Sequence, residues 1–174
     1  MEYPKGHKNV VKELLDGKFI LPSDPNYQII RENDDFYTKF FKESFDYELR
    51  TSNEYCFLIS GESNETLSRD MCIFFGILCY ELDRDGRNFL DEIQFSEWDH
   101  ERLDRYFENS TYTELINSNK QLRDKDARRT FVNSLSRRNI VEKHAEDKWT
   151  FTAAHKVFID FASELAKNRI REGV

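Results

Sequence analysis

Apolar and polar positions in the first sixty residues change from helical spacing to strict alternation. Apolar residues first recur every three or four positions, which predicts helices. Tyr47 and Leu49, and then Tyr55 and Phe57, recur every second position, which predicts the two strands of a hairpin. The predicted elements are helices over 10–15, 26–32 and 35–44, a short strand at 19–21, and hairpin strands over 46–50 and 55–60. This order of elements is that of a winged helix-turn-helix.

The second half of the chain repeats this order without visible sequence identity. Its longest helix, over 66–82, is apolar nearly all round from Met71, which is typical of a central helix covered on most sides. The other predicted elements are a short strand at Phe89-Leu90, a helix capped by Ser96 and ending at Phe107, a short helix at 111–117, a helix over 125–138, strands over 140–143 and 149–152, and a last helix capped by Thr152. We therefore predict a mainly α fold with small β-hairpin wings. It comprises tandem winged-helix domains, residues 1–62 and residues 63–174, the second including a C-terminal helix.

Composition fits a cytoplasmic protein with its own core. The chain has 174 residues, of which 39% are hydrophobic and 15 are Phe, so folding needs no metal or disulfide. The three cysteines are odd in number and have no CxxC spacing, as expected in a reducing cytosol. No apolar segment follows the N-terminal residues 1–5, so we expect no signal peptide. No run approaches the roughly 20 apolar residues of a membrane span.

Charge is unevenly distributed along the chain. The net charge of −7 by itself argues against a nucleic-acid partner. Residues 1–65 carry −5 and residues 66–122 carry −6, whereas residues 123–174 carry +4, with 12 Lys and Arg against 8 Asp and Glu. Because screening limits the reach of distant charges to roughly 8–10 Å, a basic stripe can still bind phosphate on an acidic protein.

The predicted helix over 125–138 is the best candidate for nucleic-acid contact. Ala127, Phe131 and Leu135 share one face of it, which we assign to the core. A helix immediately before a wing hairpin is the one that enters the major groove in helix-turn-helix proteins. The predicted DNA-binding residues are Lys125, Arg129, Asn133, Ser136 and Arg137 on the opposite face, with Arg128 at its flank. The alternative is an ordinary solvated face, since Asp126 lies there as well.

The equivalent helix of the first half, over 35–44, is aromatic rather than basic. A helix apolar on more than one side exposes part of that surface, which favours a contact with a protein partner or a second copy. The predicted interface residues are Phe36, Tyr37, Phe40 and Phe41. A well-filled small core explains the same residues equally well.

Neither metal binding nor catalysis has strong support in the sequence. Between residues 81 and 92, carboxylates fall at positions one, three, five and twelve of an EF-hand loop with Gly86 at position six. However, position one is Glu81 and position eight is the polar Asn88, and an Asp-Gly turn explains the segment as well. No phosphate-binding, nucleophile or zinc-protease motif occurs. We predict no metal, no cofactor and no enzymatic activity.

Several stretches together resemble one family. They are Asp35–Phe41 through Tyr47–Leu49, Tyr55–Leu58, Glu65–Arg69 leading into Gly76–Tyr80, and Arg128–Asn139 followed by Ile140-Val141 and Trp149–Thr152. In spacing and residue character the chain resembles the MukE/MksE type of small subunit of bacterial SMC condensins. Its short length is closer to the MksE branch, which includes defence-type versions.

This resemblance implies tandem winged helices and a dimer that clasps the kleisin subunit bridging the SMC ATPase heads. It further implies that ATP hydrolysis belongs to the SMC partner, and that this subunit contacts DNA mainly through backbone phosphates. The expected role is chromosome organisation and segregation, or plasmid defence, in association with the nucleoid. The alternative is a free-standing winged-helix transcription regulator, which is disfavoured by the acidic first half.

Overall fold

A computed structural model describes the backbone of residues 2–172, with the side chains of 62–64, 165–166 and 168–172 outside the described part. The fold is mainly helical, with 59% of residues in helices, as predicted. The elements are α1 (His7–Leu15), α2 (Pro25–Glu32), α3 (Asp34–Phe45), β1 (Glu48–Thr51), β2 (Cys56–Ile59), α4 (Glu62–Arg84), α5 (Phe89–Phe95), β3 (Trp98–Asp99), α6 (His100–Glu108), α7 (Thr113–Ser118), α8 (Lys125–Arg137), β4 (Val141–Lys143), β5 (Lys148–Phe151) and α9 (His155–Glu172).

The chain divides into two compact units. Unit 1 consists of Met1–Glu65 with Arg137–Asn139, and unit 2 of Thr66–Ser136 with Ile140–Val174. The assignment of residues 1–62 and 63–174 to two winged-helix domains stays a prediction.

Unit 1 has a hairpin flanked by a single bridge. Strands β1 and β2 pair antiparallel from Glu48↔Ile59 to Thr51↔Cys56. Ile20 pairs with Cys56 through reciprocal backbone hydrogen bonds of 2.8 and 2.9 Å, so the strand predicted at 19–21 is reduced to one bridge. The segment between α1 and α2 therefore pairs with the second strand of the hairpin.

The core of unit 1 lies between α1, α2, α3 and this hairpin. Its buried members are Val10, Leu14, Ile20, Ile30, Tyr37, Phe41, Leu49, Cys56 and Leu58. The apolar positions of the three helices pack against the buried residues of β1 and β2. Along each strand these buried residues alternate with more exposed ones.

Unit 2 has a three-stranded antiparallel sheet with the strand order β3-β5-β4. Trp98 of β3 pairs with Trp149 of β5, and Val141 of β4 pairs with Phe151. Both tryptophans are completely buried. As in unit 1, the strand that precedes the middle helices pairs with the second strand of the hairpin, which is the arrangement of a winged helix-turn-helix.

Two boundaries in unit 2 differ from the sequence prediction. Phe89 and Leu90 begin α5 rather than a strand, because the Asn88 side chain accepts a hydrogen bond from the Asp91 backbone N–H and caps this helix. Ser96 does not cap α6. Asp99 does so, accepting from the Arg102 N–H at 2.7 Å.

Helix α4 is less covered than its apolar sequence suggests. Phe74, Leu78 and Leu82 are completely buried, but Gly76 and Cys79 are exposed. The helix is therefore covered on most sides, as predicted, but one of its faces is exposed. Within the described part of the chain, no helix is both long and apolar enough to cross a membrane.

Candidate nucleic-acid interface

Helix α8 is oriented by its cap and its apolar stripe. The Asp124 carboxylate accepts a 2.8 Å hydrogen bond from the Ala127 N–H, and this bond lowers the pKa of Asp124. Phe131, Val132 and Leu135 are buried in the core of unit 2, where the Phe131 ring meets Phe74 at 5.5 Å between centroids. The opposite face of α8 is consequently turned to solvent.

The exposed face of α8 carries three cations. Lys125, Arg129 and Arg137 are all exposed. Lys125 Nζ lies 3.4 Å from Glu108 Oε1, but both side chains are about half exposed or more, so the pair is weak. Among the described residues neither Arg129 nor Arg137 has an ion-pair partner. Two guanidinium groups are thus free to bind an anion.

The wing contributes a further cation that the sequence prediction missed. Lys143 of β4 donates a hydrogen bond through Nζ to Asn133 Oδ1 of α8. Asn133 and Ser136 are half-buried on the edge of the basic face. The mixed charge of residues 142–148 concealed Lys143 in the sequence, because only the fold shows which wing residue reaches α8.

The pKa of His100 depends on the charges of this surface. Its ring lies 4.7 Å from the Trp149 ring and is buried. The pKa of His100 is lowered, first by burial and then by the positive charges of Arg129 and Lys143, which Asp104 and Asp147 partly oppose. Arg129 and Lys143 therefore both lie close enough to His100 to lower its pKa, at the place where α6, α8 and β4 meet.

Arg128 does not belong to this face, contrary to the sequence prediction. Only 2% of it is exposed. Its Nε donates to Asp104 Oδ1 at 2.7 Å and its Nη1 donates to the Leu122 carbonyl at 2.8 Å. The guanidinium also lies 5.6 Å from the centroid of the Phe107 ring. Because these partners surround it, Arg128 is a structural residue and is not available to contact DNA.

Two of the aromatic residues of α3 lie in the core of unit 1, and three lie at its edge. Tyr37 and Phe41 are completely buried, so the prediction that they form an interface is corrected in favour of the core. Phe36 and Phe40 are half-buried and pack edge-on against His7, at 5.8 and 5.0 Å. The exposed Phe45 lies 6.0 Å from Phe40 and extends this apolar edge.

The carboxylates of the EF-hand-like segment lie in separate networks. Glu81 is buried in α4, accepts a 2.8 Å hydrogen bond from Ser110 and pairs with Arg84. Glu92 accepts from Ser96 at 2.6 Å and Arg102 at 2.5 Å, and these two hydrogen bonds lower its pKa to about 2. Over the part of the chain that the structure describes, no group of three or more His, Cys, Asp or Glu is placed to hold a metal ion.

The comparisons with known proteins identify one family. The family model described as condensin complex protein MksE matches residues 5–163. No curated protein matches the chain. The matched region extends from the residues before α1 into α9 and so includes α8 and its wing.

Proposed function

The chain belongs to the MksE family of condensin complex proteins, and we propose that within such a complex it binds the kleisin subunit as a dimer and contacts DNA. In this proposal the protein is non-catalytic, the SMC subunit hydrolyses ATP, and the complex associates with the nucleoid. Its role is chromosome organisation and segregation, or plasmid defence.

One observation carries the proposed DNA contact: Arg129 and Arg137 of α8 are exposed and lack ion-pair partners among the described residues. Lys143 of the wing and Lys125 at the start of α8 add two further cations beside them. Side chains of this kind bind phosphate oxygens, which carry no sequence information. We therefore expect binding to duplex DNA without strong sequence preference.

The salt dependence of binding tests this contact. Four phosphate contacts give a slope of log K against log salt of about −3 to −4, at roughly −0.9 for each contact. The double variant Arg129→Glu/Arg137→Glu removes two of them, so the slope should become shallower by about 2. Fluorescence anisotropy with a labelled duplex of arbitrary sequence measures both slopes.

The matched control reverses two exposed arginines away from α8, Arg31 and Arg105. Arg31→Glu/Arg105→Glu changes the net charge by the same amount and should leave the slope close to that of the wild type. If the two double variants weaken binding equally, net charge rather than the face of α8 controls it. An unchanged slope in Arg129→Glu/Arg137→Glu would mean that α8 carries only a solvated face.

The apolar edge of α3 supports the proposed kleisin contact. Phe36, Phe40 and Phe45 leave apolar surface exposed at one edge of unit 1. Such an edge fits apolar side chains of a kleisin segment, because burying them removes apolar area from water on both partners.

Co-purification with a kleisin subunit from the same organism tests that contact. The two proteins should elute together, and Phe36→Asp/Phe40→Asp should separate them while the far-UV circular dichroism stays unchanged. Phe95→Asp is the control, since Phe95 of unit 2 is 75% exposed and is not part of this edge. Elution of the wild-type chain alone at every salt concentration would contradict the proposed function.

A further inference from the structure

One face of α4 is left uncovered by the described part of the chain. Seven residues of unit 2 define this face, which we call the α4 stripe: Arg69, Cys72, Ile73, Gly76, Cys79, Tyr80 and Asp83. At 100° per residue they fall within an arc of about 120°. Cys72 and Ile73 are half-buried, whereas the other five are exposed. The stripe is therefore accessible along about four helical turns.

Gly76, at the centre of the stripe, is not required by any contact within the described residues. Glycine is less favourable than alanine inside a helix. A Cβ added at Gly76 meets no atom within 4 Å. The missing side chain therefore has no use within this unit, but it allows another backbone to approach α4 closely.

The charges at the two ends of the stripe are complementary to each other. Arg69 lies seven residues before Gly76 and Asp83 lies seven residues after it. Neither has an ion-pair partner among the described residues. If two copies of α4 cross antiparallel at Gly76, Arg69 of each copy faces Asp83 of the other.

The remaining positions pair in the same way. About the same centre, Cys72 faces Tyr80 of the second copy, and Ile73 faces Cys79. A groove of about 580 Å³ between α4 and α5, lined in part by Cys79 and Leu90, provides space for the Ile73 side chain of the second copy. A two-fold pattern of this kind matches a second copy of the chain better than an unrelated helix.

We propose that the α4 stripe is the surface through which two copies of this chain pack antiparallel about Gly76. The inference rests on the dimer in the proposed function and adds the surface that forms it. Arg69 and Asp83 fix the register, and Gly76 sets the close approach of the helices.

Cysteine cross-linking tests the register directly. Ile73→Cys in a Cys72→Ser background places a thiol opposite Cys79 of the second copy. Within one chain positions 73 and 79 are six residues apart on α4, about 9 Å along the axis, which is beyond the reach of a disulfide. Cys56 is completely buried. Diamide takes up two electrons and two protons from a pair of thiols, and it should convert the full-length variant into a covalent dimer. Adding Cys79→Ser should abolish this dimer, and Cys72→Ser alone should give none.

A charge exchange tests the ends of the stripe. Arg69→Asp places like charges opposite each other, so the dissociation constant of the dimer should rise at least tenfold in analytical ultracentrifugation. The double variant Arg69→Asp/Asp83→Arg restores the pairs in reversed order and should recover the wild-type affinity. Glu101→Arg, at an exposed position of α6 outside the stripe, should leave the affinity unchanged.

The outcomes separate this inference from the proposed function. A wild-type dimer that Arg69→Asp does not weaken, together with no diamide cross-link in the Ile73→Cys variant, would overturn the α4 interface while leaving the dimer itself. A chain that stays monomeric at all concentrations would overturn both. A cross-link in the Ile73→Cys variant that needs Cys79, together with recovery in the charge-exchanged variant, would establish the stripe.

Discussion

Replacing Arg128 with alanine should destabilise the protein, whereas the same replacement at the adjacent Arg129 should not. Arg128 is 2% exposed and holds Asp104 through a 2.7 Å contact, whereas Arg129 is exposed. Two neighbouring arginines of α8 thus have opposite roles. The first connects α8 to α6, and the second belongs to the proposed DNA surface.

The geometry sets the expected magnitude. Removing one partner of a buried ion pair costs about 3–5 kcal/mol, because the other charge stays buried without compensation. The side chain of Asp104 is 15% exposed and recovers some hydration, so we expect a loss at or just below the lower limit of that range, about 2–3 kcal/mol. The Leu122 carbonyl, which accepts from Nη1 at 2.8 Å, also loses its donor.

Urea denaturation followed by far-UV circular dichroism measures the free energy of unfolding. Arg129→Ala should lie within about 0.5 kcal/mol of the wild type, as is usual for exposed positions. In a double-mutant cycle, Asp104→Ala and Arg128→Ala should be strongly non-additive. Equal losses in Arg128→Ala and Arg129→Ala, or additive losses in the cycle, would refute the structural role of Arg128.

Three further predictions concern acid stability and the proposed DNA surface. Because the folded state lowers the pKa of Glu92 from 4.5 to about 2, its contribution, about 3 kcal/mol, is present above pH 4.5 and lost as pH falls towards 2. Urea unfolding at several pH values should show the gap between the wild type and Glu92→Gln closing over that range. Bound DNA should raise the pKa of His100 in NMR titrations, because a phosphate beside Arg129 offsets the charge that lowers it. Asn133→Glu places a carboxylate one turn after Arg129 and beside Lys143, so it should weaken DNA binding without removing a cation.

For each of these three predictions there is a result that would contradict it. A gap between the wild type and Glu92→Gln that stays constant from pH 5 to pH 2 would mean that the Glu92 network does not stabilise the fold. A pKa of His100 that does not change when saturating duplex is added would place the phosphates elsewhere. Thr38→Glu, at an exposed position of α3, makes the same change of charge away from α8 and is the control for Asn133→Glu.

The elements with strong periodicity could be predicted from sequence, and short or long-range features could not. Alternation at Tyr55, Phe57 and Ile59 predicted β2 correctly. Strand β3 has only two residues, too few for any period, and it exists because Trp98 pairs with Trp149 fifty-one residues later. At Asn88 a usable signal was present, since Asn followed three residues later by Asp91 is typical of a helix start.

The candidate site was predictable only where exposure follows from the spacing along one helix. Arg128, Phe131, Val132 and Leu135 are spaced like an apolar stripe, so the position of Arg128 on the buried face was visible in the sequence. The positive charge of Arg128 argued instead that its side chain faces solvent. Only the fold shows that Asp104 from α6 neutralises this charge.

The spacing of carboxylates, rather than the number of cations, separates α8 from the equivalent helix of unit 1. On α3, Lys39 is followed four residues later by Glu43, and Lys42 by Asp46, with N–O distances of 3.8 and 2.5 Å. Both lysines of α3 therefore have an acidic neighbour one turn away. On α8 the residue four positions after Arg129 is neutral. Asp126, three positions before Arg129, lies in the first turn, where the helix dipole favours it, and no ion pair joins it to Arg129 among the described residues. A whole-chain charge of −7 is thus compatible with one helix that binds phosphate, because each cation is governed by the groups within a few ångströms of it.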